Sequence, residues 1–170
     1  MQGLVKKNRL SVVHFLANSM IIELFAEPFD PWSWLQNYQQ SRSAAASVAT
    51  GHKVGATNVF VGTMRDFNEG DDVQSMVLEH YPGMTEKHLT AIAQQALDQW
   101  DVEDIAIAHR YGEVFPGDAL VCIVVWSSHR KAAYEANRQL MEDLKSKAPF
   151  WKKETLSEGH RWVAKNTEGY

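Results

Sequence analysis

The sequence contains one cysteine in 170 residues, Cys122, and this scarcity excludes an intramolecular disulfide and any cysteine-rich metal cluster. Its histidines lack the His-Glu-x-x-His and His-x-His spacings that hold zinc, so we predict no metal site. The formal net charge of -4 leaves no basic surplus for a phosphate backbone, so no nucleic-acid partner is expected. Any anion-binding site must therefore be a local group of cations.

Long apolar runs are also missing, because no stretch approaches the length of about eighteen apolar residues that a membrane-spanning helix needs. The glycines fit neither a phosphate-binding P-loop nor a dinucleotide fingerprint, and the serines lack a nucleophile elbow. These absences remove several large enzyme classes and leave no predicted cofactor. We expect a protein of the reducing cytoplasm that does not enter a membrane, with its one thiol packed in the apolar run 119–126.

The composition is 45% hydrophobic and 11% aromatic, which is enough for one well-packed domain in a chain too short for two. We expect this domain to cover residues 20–170 and to begin with a strand at 21–25. Residues 1–19 are expected to be an extension that is disordered or is not the native start. Their basic and then apolar order resembles a signal peptide, but His14 interrupts the apolar part and no small-residue cleavage site follows.

Hydrophobic periodicity predicts the remaining elements. The predicted strands cover residues 54–61, 73–81, 105–111 and 119–126, and the predicted helices cover residues 85–100 and 128–147. A Pro-Gly-Asp reversal at 116–118 predicts that the last two strands pair antiparallel. Residues 39–51 are small and polar, which indicates a mobile loop or a weakly held helix end. From residue 54 the order β, β, α, β, β, α predicts an α+β sandwich.

The second predicted helix begins with an unusual number of cationic side chains. Its first residues are Ser127, Ser128, His129, Arg130 and Lys131. The positive end of a helix dipole disfavours each cation by about 0.3–1 kcal/mol. A serine cap, free backbone N–H groups and these cations would together bind a phosphate or carboxylate, which would remove the penalty. A solvated helix end without a ligand is an equally good interpretation.

The end of the same helix is rich in lysine. Residues 145–153 place four lysines around Pro149, Phe150 and Trp151. Lysines in a last helical turn complement the dipole, and the aromatic rings could simply pack in the core. A lysine held against Phe150 and Trp151 would instead be partly desolvated, which lowers the ammonium pKa and suits the amine to acid–base or nucleophilic chemistry. The sequence alone leaves both interpretations open.

Arg65 lies in a polar loop, residues 62–72, that follows the predicted strand 54–61. Its planar guanidinium could hold a carboxylate or a phosphate at two points. Most loop arginines, however, are only solvated, so this residue by itself does not define a site.

These residues belong to an ordered series of sequence blocks. In order, the blocks are Phe-Val-Gly-Thr-Met-Arg at 60–65, Leu-Glu-His-Tyr-Pro-Gly-Met at 78–84, His-Arg-Tyr-Gly-Glu at 109–113, Pro-Gly-Asp at 116–118, Ser-His-Arg at 128–130, Lys-Ser-Lys-Ala-Pro-Phe-Trp-Lys-Lys-Glu at 145–154 and Gly-His-Arg-Trp-Val at 159–163. The series resembles the MoaE family, the large catalytic subunits of molybdopterin synthase, across residues 54–163. A chance match to so many blocks in one order is improbable, so the resemblance is specific.

The resemblance implies a single α+β domain of the α/β hammerhead type, with an antiparallel sheet and packed helices. It also implies a homodimer of large subunits with a small ubiquitin-like sulfur carrier at each end, which makes a heterotetramer. In the family, the carrier's C-terminal Gly-Gly thiocarboxylate enters a pocket of the large subunit and gives sulfur to cyclic pyranopterin monophosphate. Two such transfers form the molybdopterin dithiolene during molybdenum cofactor biosynthesis, so the chain is expected to be a sulfurtransferase.

The family's site residues transfer to matching positions. Lys145 matches the lysine nearest the reacting thiocarboxylate, and Lys152 matches a second pocket lysine that supports substrate binding or proton transfer. Arg65, His129 and Arg130 match the group that holds the substrate's phosphate, and the last two are expected to serve the neighbouring subunit's site. The expected chemistry is attack of the thiocarboxylate sulfur on a pterin carbon and hydrolysis of the covalent intermediate, in which Lys145 could act covalently or as an acid–base group.

The sequence departs from the family at its ends. The first 53 residues match weakly, and the family often has a further basic residue after the Arg-Trp-Val block, for which Lys165 is the nearby candidate here.

Two other functions use the same features. A noncatalytic adaptor would keep the fold and bind a ubiquitin-like tail, and loss of a pocket lysine would favour it, but both lysines are present. An enzyme for another phosphorylated metabolite would use the same basic pocket, and only substrate competition would distinguish it.

Overall fold

The computed structural model describes residues 11–15, 20–46, 53–68, 70–147 and 149–163. Its strands are β1 (Ser11–Phe15), β2 (Met20–Phe25), β3 (Ala56–Thr63), β4 (Phe67–Asn68), β5 (Asp71–His80), β6 (Val102–Arg110), β7 (Gly112–Val114), β8 (Ala119–Ser127), β9 (Phe150–Leu156) and β10 (His160–Trp162). Its helices are α1 (Pro31–Ala46), α2 (Met84–Gln99) and α3 (Arg130–Lys147). Two sheets and three helices form the α+β class that the sequence predicted, and that prediction is confirmed.

The first sheet has the strand order β1-β2-β6-β8-β3. Strands β6 and β8 lie at its centre and are buried along almost their whole length, which is why they read as continuous apolar runs without alternation. They pair antiparallel, as the reversal between them predicted. The exception to the antiparallel arrangement is β2, which pairs parallel with β6. These two strands are far apart in the chain, and parallel neighbours require such a long crossover.

Helices cover both faces of this sheet. On one face, Leu89 of α2 and Leu140 of α3 pack against Ile107 and Ile123 of the central strands. On the other face, Leu35 of α1 packs with smaller side chains of the sheet, among them the fully buried Cys122. Burial of each large aliphatic side chain contributes about 1.5–3 kcal/mol, so this three-layer arrangement is the main source of stability.

Helix α1 was not predicted from the sequence, although its start carries a recognisable signal. The Ser33 backbone N–H donates to Asp30 Oδ1 at 2.6 Å, and Pro31 occupies the first helical position, where no N–H partner is needed. The helix continues to residue 46 through the segment interpreted as a mobile loop or weak helix end, so the second of those alternatives holds for residues 39–46. Residues 47–52 lie outside the described residues.

The second sheet has the order β10-β9-β5-β4, and β7 also pairs with β5. Its buried side is formed by Met76 and Leu78 of β5 together with Met64 and Val114. Strand β9 was not predicted, because the predicted helix ended at residue 147 and residues 145–153 were described only as a lysine-rich segment. This strand runs antiparallel to β5, with Lys152 opposite Leu78.

A buried arginine joins the two parts of the fold. Arg110 is 2% exposed, and its guanidinium donates to the Phe25 carbonyl at 3.2 Å, to the Tyr111 and Glu113 carbonyls at 2.8 Å each, and to the Ala26 carbonyl. These acceptors lie at the end of β2 and in the passage from β6 to β7. The His-Arg-Tyr-Gly-Glu block therefore has a structural explanation, since its arginine fixes the chain where it passes from one sheet to the other.

Part of the N-terminal extension forms a strand. Residues 20–25 form the first strand of the predicted domain, as expected, but Ser11–Phe15 is also a strand and pairs antiparallel with β2. The extension was expected to be disordered or not to be the native start, and this strand differs from the first of these alternatives without bearing on the second. Strand β1 is rich in β-forming residues, and it pairs with the edge of β2 that would otherwise have unpaired backbone groups. The rest of residues 1–19 lies outside the described residues.

Candidate functional site

A cavity of about 390 Å³ lies between the second sheet and the C-terminal end of α3. Its polar side chains are Thr63, Arg65, Asn68, His109, Lys145, Lys152 and Glu154. Its apolar walls include Phe60, Met64, Met76, Leu120, Met141 and Phe150. A mostly apolar cavity with a few convergent charged groups is the usual form of a small-molecule site. The structure therefore brings together three of the five predicted site residues, namely Arg65, Lys145 and Lys152.

Helix α3 carries Lys145 to the cavity. Leu140 and Leu144 are buried in the core and fix the rotation of the helix, so the next side chain along the chain, that of Lys145, reaches the cavity. Lys145 and Lys147 both lie in the last helical turn, where cations complement the helix dipole. Lys147 has a different role, because its ammonium pairs with Asp143 at 2.6 Å and its side chain is 49% exposed.

Strand β9 carries the second lysine. Side chains alternate along a strand, so Phe150, Lys152 and Glu154 face the cavity, whereas Trp151 is 44% exposed. Burial lowers the pKa of Lys152, the ammonium of Lys145 lowers it further, and the carboxylate of Glu154 opposes both. This agrees with the hypothesis of a partly desolvated lysine, except that Phe150 alone contributes to its cavity and Trp151 does not.

Arg65 lies at the exposed side of the cavity, in the loop after β3. Two backbone hydrogen bonds fix this loop, from Met64 N–H to the Asp118 carbonyl at 2.9 Å and from Gly117 N–H to the Met64 carbonyl at 2.9 Å. The Arg65 guanidinium carbon lies 4.8 Å from the centre of the Phe67 ring, which orients the fork by a cation–π contact. An anion entering the cavity would therefore meet a guanidinium already held in place.

His109 is a cavity residue whose role was not predicted from the sequence. Its ring stacks on Phe150, with ring centres 4.0 Å apart, and Nδ1 lies 2.6 Å from the Arg110 carbonyl oxygen. Because a carbonyl only accepts, Nδ1 carries the proton. Burial lowers the His109 pKa to about 4, the bond to Arg110 opposes that shift, and the charges of Lys152 and His80 add to it. His109 is therefore neutral near pH 7.

Stability at acid pH is expected to depend on His109. The folded pKa of about 4 lies below the ordinary value of 6.5, so the unfolded chain binds the proton first as the pH falls. The free energy of unfolding should therefore decrease from about pH 6.5 to pH 4, with a contribution of roughly 3 kcal/mol from this residue. Urea unfolding of the native chain and of His109→Gln at several pH values measures the contribution.

The pKa of His80 is also lowered by burial, so the variant should retain part of the acid dependence. A pH dependence equal to that of the native chain in His109→Gln would contradict the assignment of a neutral, buried His109.

The other two predicted site residues lie elsewhere in the chain. His129 and Arg130 are exposed at the N-terminal end of α3. Ser127 fixes the chain just before this end, because its Oγ accepts from the His129 N–H at 3.2 Å and donates to the Asp101 carbonyl at 2.6 Å. The helix begins at Arg130 and its Ala133 N–H donates to the His129 carbonyl at 3.3 Å, so this bond closes a turn ahead of the helix and is not the predicted serine cap. Fifteen residues of helix, about 22 Å, separate Arg130 from Lys145, so the two cannot share a cavity of one chain.

Two further features bear on the predicted site. Lys165, the candidate for an additional basic residue, lies outside the described residues, and Val163 is the last described residue of the cavity wall. Among the described residues, no group of three or more histidine, cysteine, aspartate or glutamate side chains could hold a metal ion.

Known proteins resemble this chain in sequence and structure. A family model described as MoaE protein matches residues 35–147, and this match includes most of α1, which lies in the part expected to match weakly. The molybdopterin synthase catalytic subunit of Pasteurella multocida is 54% identical over 112 residues, covering 66% of this chain and 75% of the relative. The Haemophilus ducreyi protein of the same name is 44% identical over 146 residues, covering 84% and 88%. The crystal structure of molybdopterin synthase from Staphylococcus aureus superposes with a TM-score of 0.69 at 31% identity, covering 84% and 96%.

Proposed function

The chain belongs to the MoaE family, and we propose that it is the catalytic subunit of a molybdopterin synthase. This is the family that the ordered sequence blocks predicted. The enzyme transfers sulfur from the C-terminal thiocarboxylate of a small ubiquitin-like carrier to cyclic pyranopterin monophosphate, and so forms the dithiolene of molybdopterin. The observation that carries the proposal is the convergence of Lys145, Lys152 and Arg65 on one cavity.

The cavity suits the end of a Gly-Gly tail for two reasons. Glycines have no side chains, so an extended tail is narrow enough to pass between apolar walls such as those formed by Phe60 and Met141. The thiocarboxylate at its tip is an anion, and the cations of Lys145 and Lys152 would stabilise it in surroundings where water is scarce. The partner subunit is thus recognised by the chemistry of its last residues.

The sulfur transfer follows from these groups. The thiocarboxylate sulfur attacks a substrate carbon that carries oxygen, and the bond from that carbon to the oxygen breaks as the oxygen takes up a proton, which gives a carrier-to-pterin thioester. Water then cleaves the bond between the carbonyl carbon and the sulfur. Sulfur stays on the pterin, and the carrier leaves with a carboxylate. Lys145 stabilises the negative charge or moves a proton at the reacting carbonyl, and Lys152, whose pKa is lowered by burial, accepts and returns protons.

The remaining two residues fit a site shared between chains. His129 and Arg130 lie too far from Lys145 in one chain to bind the same substrate, so we assign them to the cavity of a second copy. There they would hold the cyclic phosphate, with the backbone N–H groups of the helix start. This arrangement requires a homodimer, and with one carrier for each large subunit the working assembly is a heterotetramer.

The expected location is the cytoplasm. None of the helices in the described part of the chain has the length and hydropathy that a membrane span requires. The reducing conditions of the cytoplasm would also protect a thiocarboxylate from oxidation, which the proposed reaction needs.

Reconstitution tests the function directly. The full chain is mixed with a thiocarboxylated carrier subunit and cyclic pyranopterin monophosphate, and dithiolene formation is followed, with carboxylated carrier as the matched control. We expect product only with the thiocarboxylate. Stable carrier binding without product would instead indicate a noncatalytic adaptor, and turnover of a different phosphorylated metabolite would indicate another enzyme.

A further inference from the structure

The imidazole of His109 is held in one orientation at the wall of the cavity. Its ring stacks on Phe150, with ring centres 4.0 Å apart and planes 18° apart, and Nδ1 donates to the Arg110 carbonyl oxygen at 2.6 Å. The residue is 6% exposed and lines the cavity. Turning the ring over would break the bond to Arg110, so each ring nitrogen keeps its place.

The second ring nitrogen of His109, Nε2, is an acceptor that the protein does not use. A neutral imidazole carries one proton, and Nδ1 holds it, so Nε2 has a lone pair. Within the described part of the chain, the ring forms the hydrogen bond to Arg110 and no other. His80 and His88 each contain a ring nitrogen that is both shielded from solvent and without a partner, but Nε2 of His109 is not such an atom. Nε2 is therefore accessible, and the space beside it is the cavity.

A second strong acceptor of the cavity, the carboxylate of Glu154, already has protein donors. Its Oε1 accepts from Asn68 Nδ2 at 2.8 Å, and its Oε2 accepts from Nε and Nη2 of Arg161 at 3.1 and 2.7 Å. This network joins β4, β9 and β10. His109 Nε2, by contrast, is an acceptor to which the described residues bring no donor.

The lone pair of His109 decides which chemical group can lie against it. Carboxylate, thiocarboxylate and phosphate oxygens only accept hydrogen bonds when they are ionised, so they are repelled by Nε2. The cations of the cavity, Arg65, Lys145 and Lys152, suit such anions instead. The wall thus offers one kind of contact to an anion and another, at His109, to a group that donates.

We propose that Nε2 of His109 accepts a hydrogen bond from an N–H group of the ligand that fills the cavity, and so makes the site favour ligands that donate at this position. The inference rests on the proposed function, because that function supplies two ligands with N–H groups. One is the carrier's tail, whose glycines have backbone amides, and the other is the pterin, whose ring system carries N–H groups. A ligand without a donor here would leave a buried acceptor unpaired, which is costly.

Three substitutions of His109 separate its two nitrogens from its ring. The amide of asparagine stands as many bonds from the backbone as Nδ1, so His109→Asn can still donate to the Arg110 carbonyl but has no atom at the position of Nε2. The amide of glutamine stands as far out as Nε2, so His109→Gln can still offer an acceptor to the cavity. His109→Phe keeps a ring for stacking on Phe150 and lacks both nitrogens.

The test measures dissociation constants of the full chain by isothermal titration calorimetry. The carboxylated carrier and cyclic pyranopterin monophosphate are titrated separately, so no reaction occurs. For the ligand that donates to Nε2, we expect the affinity to fall about tenfold or more in His109→Asn and His109→Phe, because a buried donor loses its partner. In His109→Gln the affinity should stay within about threefold of the native value, since the acceptor is restored.

A second arm confirms which ligand supplies the N–H group. If the carrier's affinity changes, a semisynthetic carrier with the responsible glycine nitrogen methylated should bind the native chain about tenfold more weakly and bind His109→Asn no more weakly than the unmethylated carrier does. If the pterin is the donor, the carrier's affinity should be the same in all the variants.

His80→Gln is the matched control. The His80 ring also lies near Phe150, with ring centres 6.3 Å apart, but it is not among the residues that line the cavity. Both ligands should therefore bind this variant with affinities within about twofold of the native values. Thermal unfolding of each variant shows that it is folded at the titration temperature.

Three results would overturn the inference. Affinities that do not change in folded His109→Asn and His109→Phe would show that no ligand uses Nε2. Native affinity in His109→Phe with a loss in His109→Asn would place the effect in ring packing, and an equal loss in His109→Gln would place it in the bond to Arg110. In these cases the ligands still bind and the proposed function stands. A native chain that binds neither ligand would instead contradict the proposed function, and the inference would fail with it.

Discussion

Replacing Lys145 with alanine is expected to slow dithiolene formation by about a hundredfold or more. This amine is the cation that α3 brings into the cavity, and a charge-stabilising or proton-transfer group usually contributes a factor of that size. The residue lies at the end of the helix, after the last core contact of Leu144, so the fold should tolerate its truncation. The rate is measured in a single turnover with saturating thiocarboxylated carrier and substrate, which separates chemistry from binding.

The matched control is Lys147→Ala, which removes the same charge from the same helical turn. Lys147 is half exposed and pairs with Asp143, outside the cavity lining, so its loss should change the rate by less than about threefold. A Lys145→Ala chain that keeps the native rate would remove this residue from the mechanism. A drop of equal size in both variants would instead indicate a general effect of charge at this helix end.

The second prediction with a large expected effect tests whether two chains share one site. Arg130→Ala and Lys145→Ala homodimers should each be nearly inactive, but mixing them with exchange of subunits should restore about one quarter of the native activity. In a shared site, half of the random dimers contain both variants, and one of the two sites in each of these carries Lys145 and Arg130 intact. The expected recovery follows from the proposed shared site, which is argued from the separation of about 22 Å between these residues along α3.

The control for this experiment mixes Lys145→Ala with Lys152→Ala. Both residues line the cavity of one chain, so each of the two sites in a mixed dimer lacks one lysine and no recovery of activity is expected. A second control mixes Arg130→Ala with His129→Ala. These two residues lie on the same helix start, so each site of a mixed dimer lacks one of them and no recovery is expected. No recovery for Arg130→Ala with Lys145→Ala, together with proven exchange, would contradict the shared site.

Elements with strong local signals could be predicted from the sequence. Helices α2 and α3, which cover one face of the first sheet, were predicted at 85–100 and 128–147, and the structure has them as Met84–Gln99 and Arg130–Lys147. Their apolar residues recur at spacings of three and four because each helix buries one face on a sheet. The paired strands β6 and β8 were equally clear, since central strands covered on both faces must be apolar throughout.

Two elements were missed for physical reasons. Helix α1 buries few residues, such as Leu35, and its later turns are polar or small, so its periodicity is weak. Strand β9 contains Lys152 and Glu154, and charged residues in alternate positions usually mark a solvent-facing side. Here that side faces the cavity, and nothing local in the sequence distinguishes a cavity from solvent. The parallel pairing of β2 with β6 could not be predicted either, because it joins two strands that are far apart in the sequence.

The residues of the functional site were likewise predicted only in part. Arg65, Lys145 and Lys152 were named through the family resemblance, and the local physics of each residue left its role open. His109, Glu154 and Arg161 lay in the same sequence blocks, but their roles depend on contacts across strands: stacking on Phe150 for the first and a shared carboxylate network for the other two. Contacts of this kind join residues that are distant in sequence, so only the folded chain shows them.

The thiol of Cys122 is buried, so thiol-reactive reagents can be used in the reaction mixture without labelling this chain. Burial raises its pKa to about 11, so very little thiolate is present at neutral pH, and the side chain is inaccessible within the sheet. An alkylating or maleimide reagent added to a working mixture should therefore leave the native large subunit unlabelled. Every sulfur that reacts would belong to the carrier or to the pterin, so the passage of sulfur could be followed by mass spectrometry without engineering a cysteine-free chain.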